Sequence, residues 1–201
     1  MNVRHKNIEY GFEVEPRGTT FPLFKQVHGS HLVERDSSAG KEEEADGAFT
    51  FRQHFTLSVF TADCIPLLFF TEDPYDPIAA IHCGWKGAKD HIALKTMDKL
   101  FSKTKTHVAI GPAILKCCFE VRDDLVQAFK TGDQKIDPFL EKRGGKIFFD
   151  LLQFVKDTQL KRVESFHEEL VRCTHCSKPT LPSYRRDHDT NPNIRSWIRK
   201  L

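Results

Sequence analysis

The sequence predicts a mixed α/β protein, a sheet with helices packed on it, from three observations. Short apolar runs bounded by turn residues alternate with segments of helical period. One such run, Ile78 to Ile81, passes through a glycine turn directly into a helical segment, and Asp150 with Gln153 reads as a capping box at the head of another helix.

Taken in order, Phe55 to Phe60 and Pro66 to Phe70 are rich in β-branched and aromatic residues and flank Thr61-Ala62-Asp63-Cys64. That is the pattern of two buried strands with a tight connection. Asp73-Pro74-Tyr75-Asp76-Pro77 is turn chemistry, after which Ile78 to Ile81 is expected as a third strand running into His82-Cys83-Gly84-Trp85. From Ala88 to Phe101, the positions Ala93, Met97, Leu100 and Phe101 recur at helical spacing and predict one helix. Val108 to Ile110 is a short strand stopped by Gly111-Pro112. Arg122 to Lys130 is expected to be helical, with Leu125, Val126 and Phe129 on one face. Ile147 to Phe149 reads as a strand and 151 to 160 as a helix, with Leu151, Phe154 and Val155 turned inward.

A length of 201 residues points to a single domain over residues 1–201. Lys and Arg number 30 against 28 Asp and Glu, and the two signs are interspersed, so no duplex-binding stripe exists and polymeric nucleic acid is an unexpected partner. The longest apolar run, Ile65 to Phe70, is broken early by Pro66 and falls far short of the roughly 20 residues that cross a bilayer. Met1 to Tyr10 carries Arg4, His5, Lys6 and Glu9 with no apolar stretch behind them, unlike a secretory signal, and a cytoplasmic location is the expectation. The acidic run Glu42 to Glu44 beside Ser37 to Gly40 is expected as a solvated loop. Six cysteines, two of them adjacent, do not resemble the framework of a small secreted scaffold.

Three metal-binding or nucleophilic residues stand at the ends of apolar runs: His28, Cys64 and His82. Strand ends followed by glycine turns hold reactive side chains rigidly while leaving space in front of them. Two histidines and a cysteine match a catalytic zinc set with an open fourth position, and equally a Cys-His nucleophile pair. Their separations match no short zinc motif, and a histidine beside an apolar strand is more often a hydrogen-bonded core residue.

Together, Lys25-Gln26-Val27-His28-Gly29, Ala45-Asp46-Gly47, Thr61-Ala62-Asp63-Cys64-Ile65-Pro66, His82-Cys83-Gly84-Trp85-Lys86-Gly87, Ile110-Gly111-Pro112, Cys118-Phe119-Glu120-Val121 and Ser183-Tyr184-Arg185-Arg186 resemble the YfiH-like family over residues 21 to 200. The family has been described as polyphenol oxidase or laccase-like, as peptidoglycan editing factor, and as zinc-dependent purine nucleoside enzymes. The resemblance implies helix, sheet, sheet and helix layers and a zinc bound by His28, Cys64 and His82. It also implies phosphorolysis of adenosine, inosine and methylthioadenosine, with adenosine deaminase activity in the same pocket. The partners are then a small nucleoside and phosphate.

The residues suit that chemistry. Zinc with an open position lowers the pKa of water towards about 7 for deamination, while Arg185, Lys86 and Arg186 can offer charge-assisted hydrogen bonds to phosphate. Lys25 and Gln26 are expected substrate contacts and Trp85 an apolar wall for a purine. Asp63 is expected either to orient His28 or His82 or to act as acid or base. Against the family pattern, Cys83 stands for Ala, Lys86 for Arg, and Asn193-Ile194-Arg195 where a Gly-Arg pair is usual. Lysine lacks the planar fork that grips phosphate at two points. The chain is also shorter than the family pattern at its N-terminus, so a strand or loop bordering the site is expected to be absent.

Cys173-Thr174-His175-Cys176 has C-x-x-C spacing, but structural zinc needs four ligands and no second pair lies at finger spacing; a structural role without metal is expected. Cys117 and Cys118 are expected as buried thiols, since adjacent cysteines pair only with strain. Besides a non-catalytic partner whose zinc is only structural, two further functions compete with the nucleoside enzyme. One is a copper-dependent phenol oxidase, for which only Met1 and Met97 could serve as axial ligand. The other is a Cys64-dependent hydrolase that removes a misincorporated amino acid from a peptidoglycan precursor.

Overall fold

Every side chain of Ile65–Phe70 and of Ile78–Cys83 is buried. Strands apolar on both faces must be covered on both faces, and this requirement organises the fold. In the computed structural model, which describes residues 1–16, 18–20, 22–37, 42–132 and 134–201, the strands are β1 (Asn2–His5), β2 (Ile8–Glu15), β3 (Leu32–Glu34), β4 (Gly47–Thr50), β5 (Thr56–Thr61), β6 (Ile65–Phe70), β7 (Ile78–Cys83), β8 (His107–Ile110), β9 (Glu120–Val121), β10 (Leu140–Arg143), β11 (Lys146–Phe149), β12 (Ser165–His167) and β13 (Asn193–Lys200). The helices are α1 (Trp85–Lys89), α2 (Ile92–Leu100), α3 (Asp123–Lys130), α4 (Leu151–Gln159) and α5 (Tyr184–Asp187).

Six strands form one sheet in the order β12-β8-β6-β7-β4-β3, four form a second in the order β1-β2-β13-β5, and β10-β11-β9 make a small third sheet. Odd and even positions of the central strands serve different cores, as the two-residue period of a strand requires. Leu67, Phe69, Ala79 and Ile81 face the helices and pack with Ile92, Met97, Phe129 and Phe154. Leu68, Phe70, Ile78 and Ala80 face the second sheet and pack with Tyr10, Leu57, Ile194 and Ile198. The outer side of the four-stranded sheet carries charges that pair across strands, Arg195 with Glu13 and Arg199 with Glu9. No helix of the described residues is long and apolar enough to cross a membrane.

The mixed α/β class is the one the sequence predicts. The two strands around Thr61-Ala62-Asp63-Cys64 exist, but they do not pair: β5 belongs to the four-stranded sheet and β6 to the six-stranded one, so the connection carries the chain between layers. Asp63, at φ 100, makes the turn. The single helix expected from Ala88 to Phe101 is two helices, because His91 adopts the left-handed conformation at φ 59 and ends the first. At α4 the cap is half a box: Asp150 Oδ1 accepts the Gln153 amide at 3.1 Å, while the Gln153 side chain donates to Asp157 instead of reaching back. Of the loop expected at Ser37 to Glu44, residues 38–41 lie outside the described residues. Beyond them the acids are paired, Glu43 with Arg35 at 2.6 Å and Glu44 with Lys25 at 2.9 Å.

Candidate metal centre and cavity

A cavity of about 760 Å³ opens where the β5–β6 connection, the end of β7 and the start of α1 meet the segments around residues 24–28 and 184–193. On its wall the ligand atoms of His28, Cys64 and His82 lie within 4.8 Å of one another. Each comes from a different kind of support. Cys64 directly precedes β6, His82 is the buried penultimate residue of β7, and His28 sits in a loop at φ 63.

The loop conformation of His28 is imposed by Asp46. This fully buried carboxylate accepts the amides of His28 at 2.8 Å, of Gly29 at 2.5 Å and of Val27 at 3.3 Å. It also lies 2.8 Å from His82 Nδ1, and the Asp46 carbonyl accepts the His82 amide at 2.7 Å. An ionised carboxylate can only accept, so the His82 proton sits on Nδ1 and Nε2 is left for a metal. Burial works against the Asp46 charge, yet the bonds from His82 and the Gly29 amide hold its pKa below the ordinary value. One carboxylate therefore positions both histidines.

Cys64 and His82 polarise one another. Burial would push the Cys64 thiol up, but the charge of His82 and hydrogen bonds from His28 and His82 bring it down to about 6. Burial would lower His82, but the Cys64 charge and the bond to Asp46 raise it to about 9. A thiolate beside two imidazoles, with a cavity in front of them, is a donor set that suits a divalent first-row metal with an exchangeable position. Gly84 makes room for it: a Cβ there would meet Cys64 Sγ at 2.9 Å and His28 Cδ2 at 3.3 Å. The methionines do not contribute, since Met97 is buried among the helices and Met1 Sδ lies against Arg172.

The other expected site residues separate into two groups. Lys25, Trp85, Lys86 and Arg185 line the cavity. Lys86 Nζ lies 5.7 Å from the centre of the Trp85 ring, and Arg185 stacks its guanidinium over Phe119 while donating to the Glu120 carbonyl at 2.6 Å. Gln26 also borders the cavity, but its amide is engaged at both ends by the Phe60 backbone, at 2.7 and 2.8 Å, which ties the His28 loop to β5. Arg186 is directed elsewhere: it binds the carbonyls of Thr174, His175 and Leu181 and the Asp187 carboxylate, and so fastens two loops together. Arg195 pairs with Glu13 and Glu15 at 3.1 Å each, on the sheet surface.

Asp63 does not orient the histidines. Its carboxylate accepts the Thr174 hydroxyl at 2.6 Å and the Arg185 amide at 2.7 Å, which joins the turn before Cys64 to the segment bearing Arg185. The orienting carboxylate is Asp46, whose only signal in the sequence is its place in Ala45-Asp46-Gly47. The N-terminal segment also borders the site, with Glu15, Pro16, Gly18 and Thr20 on the cavity wall.

A family model described as multi-copper polyphenol oxidoreductase laccase matches residues 5–198. The chain is 33% identical over 188 residues to a purine nucleoside phosphorylase of Rickettsia conorii, covering 88% of this chain and 76% of the relative. It is 30% identical to one of Clostridium acetobutylicum, covering 97% and 81%. It is also 29% identical to the purine nucleoside phosphorylase YfiH of Escherichia coli, covering 83% and 68%. In fold it is similar to a DUF152 protein of Neisseria meningitidis, with a TM-score of 0.80 at 22% identity over 100% of this chain and 98% of the other. The YfiH protein of Bacillus licheniformis gives 0.78 at 19% identity, covering 96% and 93%.

Proposed function

The chain belongs to the multi-copper polyphenol oxidoreductase laccase family, which includes the YfiH and DUF152 proteins, and on that premise we propose that it is a zinc-dependent purine nucleoside phosphorylase with adenosine deaminase activity in the same cavity. The observation that carries the reading is the His28, Cys64 and His82 cluster set in the wall of a roughly 760 Å³ cavity that Lys86 and Arg185 also line. Zinc held by those three residues would supply Lewis acidity toward an oxygen of water or substrate. The roles of the chain's own residues follow. Asp46 keeps the His82 proton on Nδ1 and the His28 loop in its left-handed turn. Trp85 and Phe119 offer apolar surface to a purine, and Lys86 and Arg185 offer positive charge to phosphate.

In phosphorolysis a phosphate oxygen forms a bond to ribose C1′ as the C1′–N9 bond breaks. Its electron pair goes to the purine, which takes up a proton, and base and ribose 1-phosphate leave. In deamination water replaces the exocyclic amine and ammonia leaves. Adenosine, inosine and methylthioadenosine are the proposed substrates, and the whole of residues 1–201 is proposed to act as one catalytic domain.

The test is to incubate metal-quantified protein with adenosine, with and without phosphate, and to separate the products. Adenine formed only with phosphate is the expected result for phosphorolysis, and inosine formed without it for deamination. No product from zinc-loaded protein would overturn the reading. One observation favours a second reading: a Cys64 thiol brought to about 6 beside two imidazoles is also a thiol nucleophile. Chelation separates the two, since a metal-free thiol hydrolase retains its activity and a zinc enzyme recovers only on adding zinc back.

A further inference from the structure

Four of the five cysteines that the cavity centre leaves unused converge on one point, Cys83 being buried in the core. Cys117 and Cys118, exposed and half-buried rather than buried as expected because they sit in a surface turn, precede β9, while Cys173 and Cys176 bound the turn through Thr174 and His175. A parallel bridge holds the two turns side by side: the Ala113 amide donates to the Arg172 carbonyl at 3.1 Å and the Thr174 amide to the Ala113 carbonyl at 3.0 Å. The four Sγ atoms all fall within 4.8 Å of one another.

The spacing is that of a coordination shell. Cys117 Sγ and Cys176 Sγ are 3.7 Å apart, and a tetrahedron with zinc–sulfur bonds of about 2.3 Å has edges of about 3.8 Å. A disulfide needs about 2.05 Å, and all six cysteines are free. The surroundings of Cys173 suit a thiolate. The amides of Leu115, His175 and Cys176 donate to Cys173 Sγ, so each turn presents N–H groups to sulfur. Two guanidinium groups flank the cluster: Arg143 donates to the Cys117 carbonyl at 3.1 Å, and Arg186 to the His175 carbonyl at 3.0 Å. A zinc ion with four thiolates carries two negative charges, which those cations, themselves paired with Glu141 and Asp187, offset in part.

We propose that Cys117, Cys118, Cys173 and Cys176 bind a second zinc ion, structural and separate from the cavity, that fastens the two loops together. The C-x-x-C pair thus has its missing partners in an adjacent pair distant in sequence. Closing a long chain loop through a metal removes freedom from the unfolded state. The fastened segments also reach the cavity: Ile114 and Phe119 line it on one side of the cluster, and Thr174 holds Asp63 beside Cys64 on the other.

The test uses the full chain carrying His28→Ala, which removes a ligand from the cavity centre, with and without Cys176→Ser. Both are purified under reducing conditions without chelator. The expected result is one equivalent of zinc in His28→Ala and none in the double variant. Cobalt loaded into His28→Ala should give the intense visible bands and near-ultraviolet thiolate charge transfer of a four-sulfur site, which decides the matter even if the double variant fails to fold. His28→Ala protein without zinc, whose four thiols react as fast folded as unfolded, would overturn the proposal. So would a Cys117–Cys176 disulfide in protein isolated from cells.

Discussion

Asp46 Oδ1 lies 2.8 Å from His82 Nδ1, and the same oxygen accepts the amide of His28 at 2.8 Å, so one fully buried carboxylate sets the tautomer of one proposed ligand and the backbone of another. Asp46→Asn keeps the shape but loses the charge and one acceptor. Zinc affinity, measured by competition with a chromogenic chelator, should fall roughly 10- to 100-fold. Unchanged affinity would show that His82 is oriented by something else.

Gly84 is required by the space it leaves empty. Its φ of −77 suits any residue, so Gly84→Ala meets no backbone strain, but its Cβ would stand 2.9 Å from Cys64 Sγ. Overpacking of this kind costs about 1–3 kcal/mol. The variant should fold with a modestly lower melting temperature while cavity zinc and nucleoside turnover drop together. A variant with full zinc occupancy and full turnover would refute the crowding argument.

The Cys64 thiol should be reactive at unusually low pH once metal is stripped. A thiol at its ordinary value of 9.0 gains alkylation rate as pH rises through 9, whereas one at about 6 gains it as pH rises through 6 and is level above about 7. Iodoacetamide labelling of Cys64 followed by mass spectrometry across pH 5 to 10 reads the midpoint. His82→Ala removes the largest favourable charge and should move that midpoint upward.

Lys86 and Arg186, both expected from the sequence to meet phosphate, should part company. Lys86→Ala should raise the KM for phosphate by about 10-fold, the worth of one charge-assisted hydrogen bond, with little change in melting temperature. Arg186→Ala should instead lower stability by about 2 kcal/mol through the freed carbonyls of Thr174, His175 and Leu181. Its KM for phosphate should move far less than that of Lys86→Ala. The opposite pattern would mean that Arg186, rather than Lys86, meets phosphate.

Much of the fold is readable where burial is one-sided or total. β6, β7 and β8 are apolar at almost every position, and α4 announces itself through Asp150 and its inward face. β2 and β13 escape such a reading although they form the longest pairing among the described residues, from Glu15 with Asn193 to Ile8 with Lys200. Their outer faces carry Glu9, Glu13, Arg195 and Arg199, whose charges mask the strand pattern, and their partners lie at opposite ends of the chain. The break at His91 was likewise hidden, because apolar spacing continues across it while a single left-handed residue ends the helix.

The sequence by itself determined the α/β class, the strand ends that bear Cys64 and His82, and, through its ordered motifs, the family, whereas His28 stands in a loop. These depend on local period and on residue type, which are written along the chain. Only the tertiary structure decided that Asp46 rather than Asp63 orients the histidines, that Gln26 and Arg186 tie loops together, and that two distant cysteine pairs meet. Each of these depends on which polar groups face one another after segments far apart in sequence have packed. The strong cost of leaving a buried charge or donor unpaired then selects the partners.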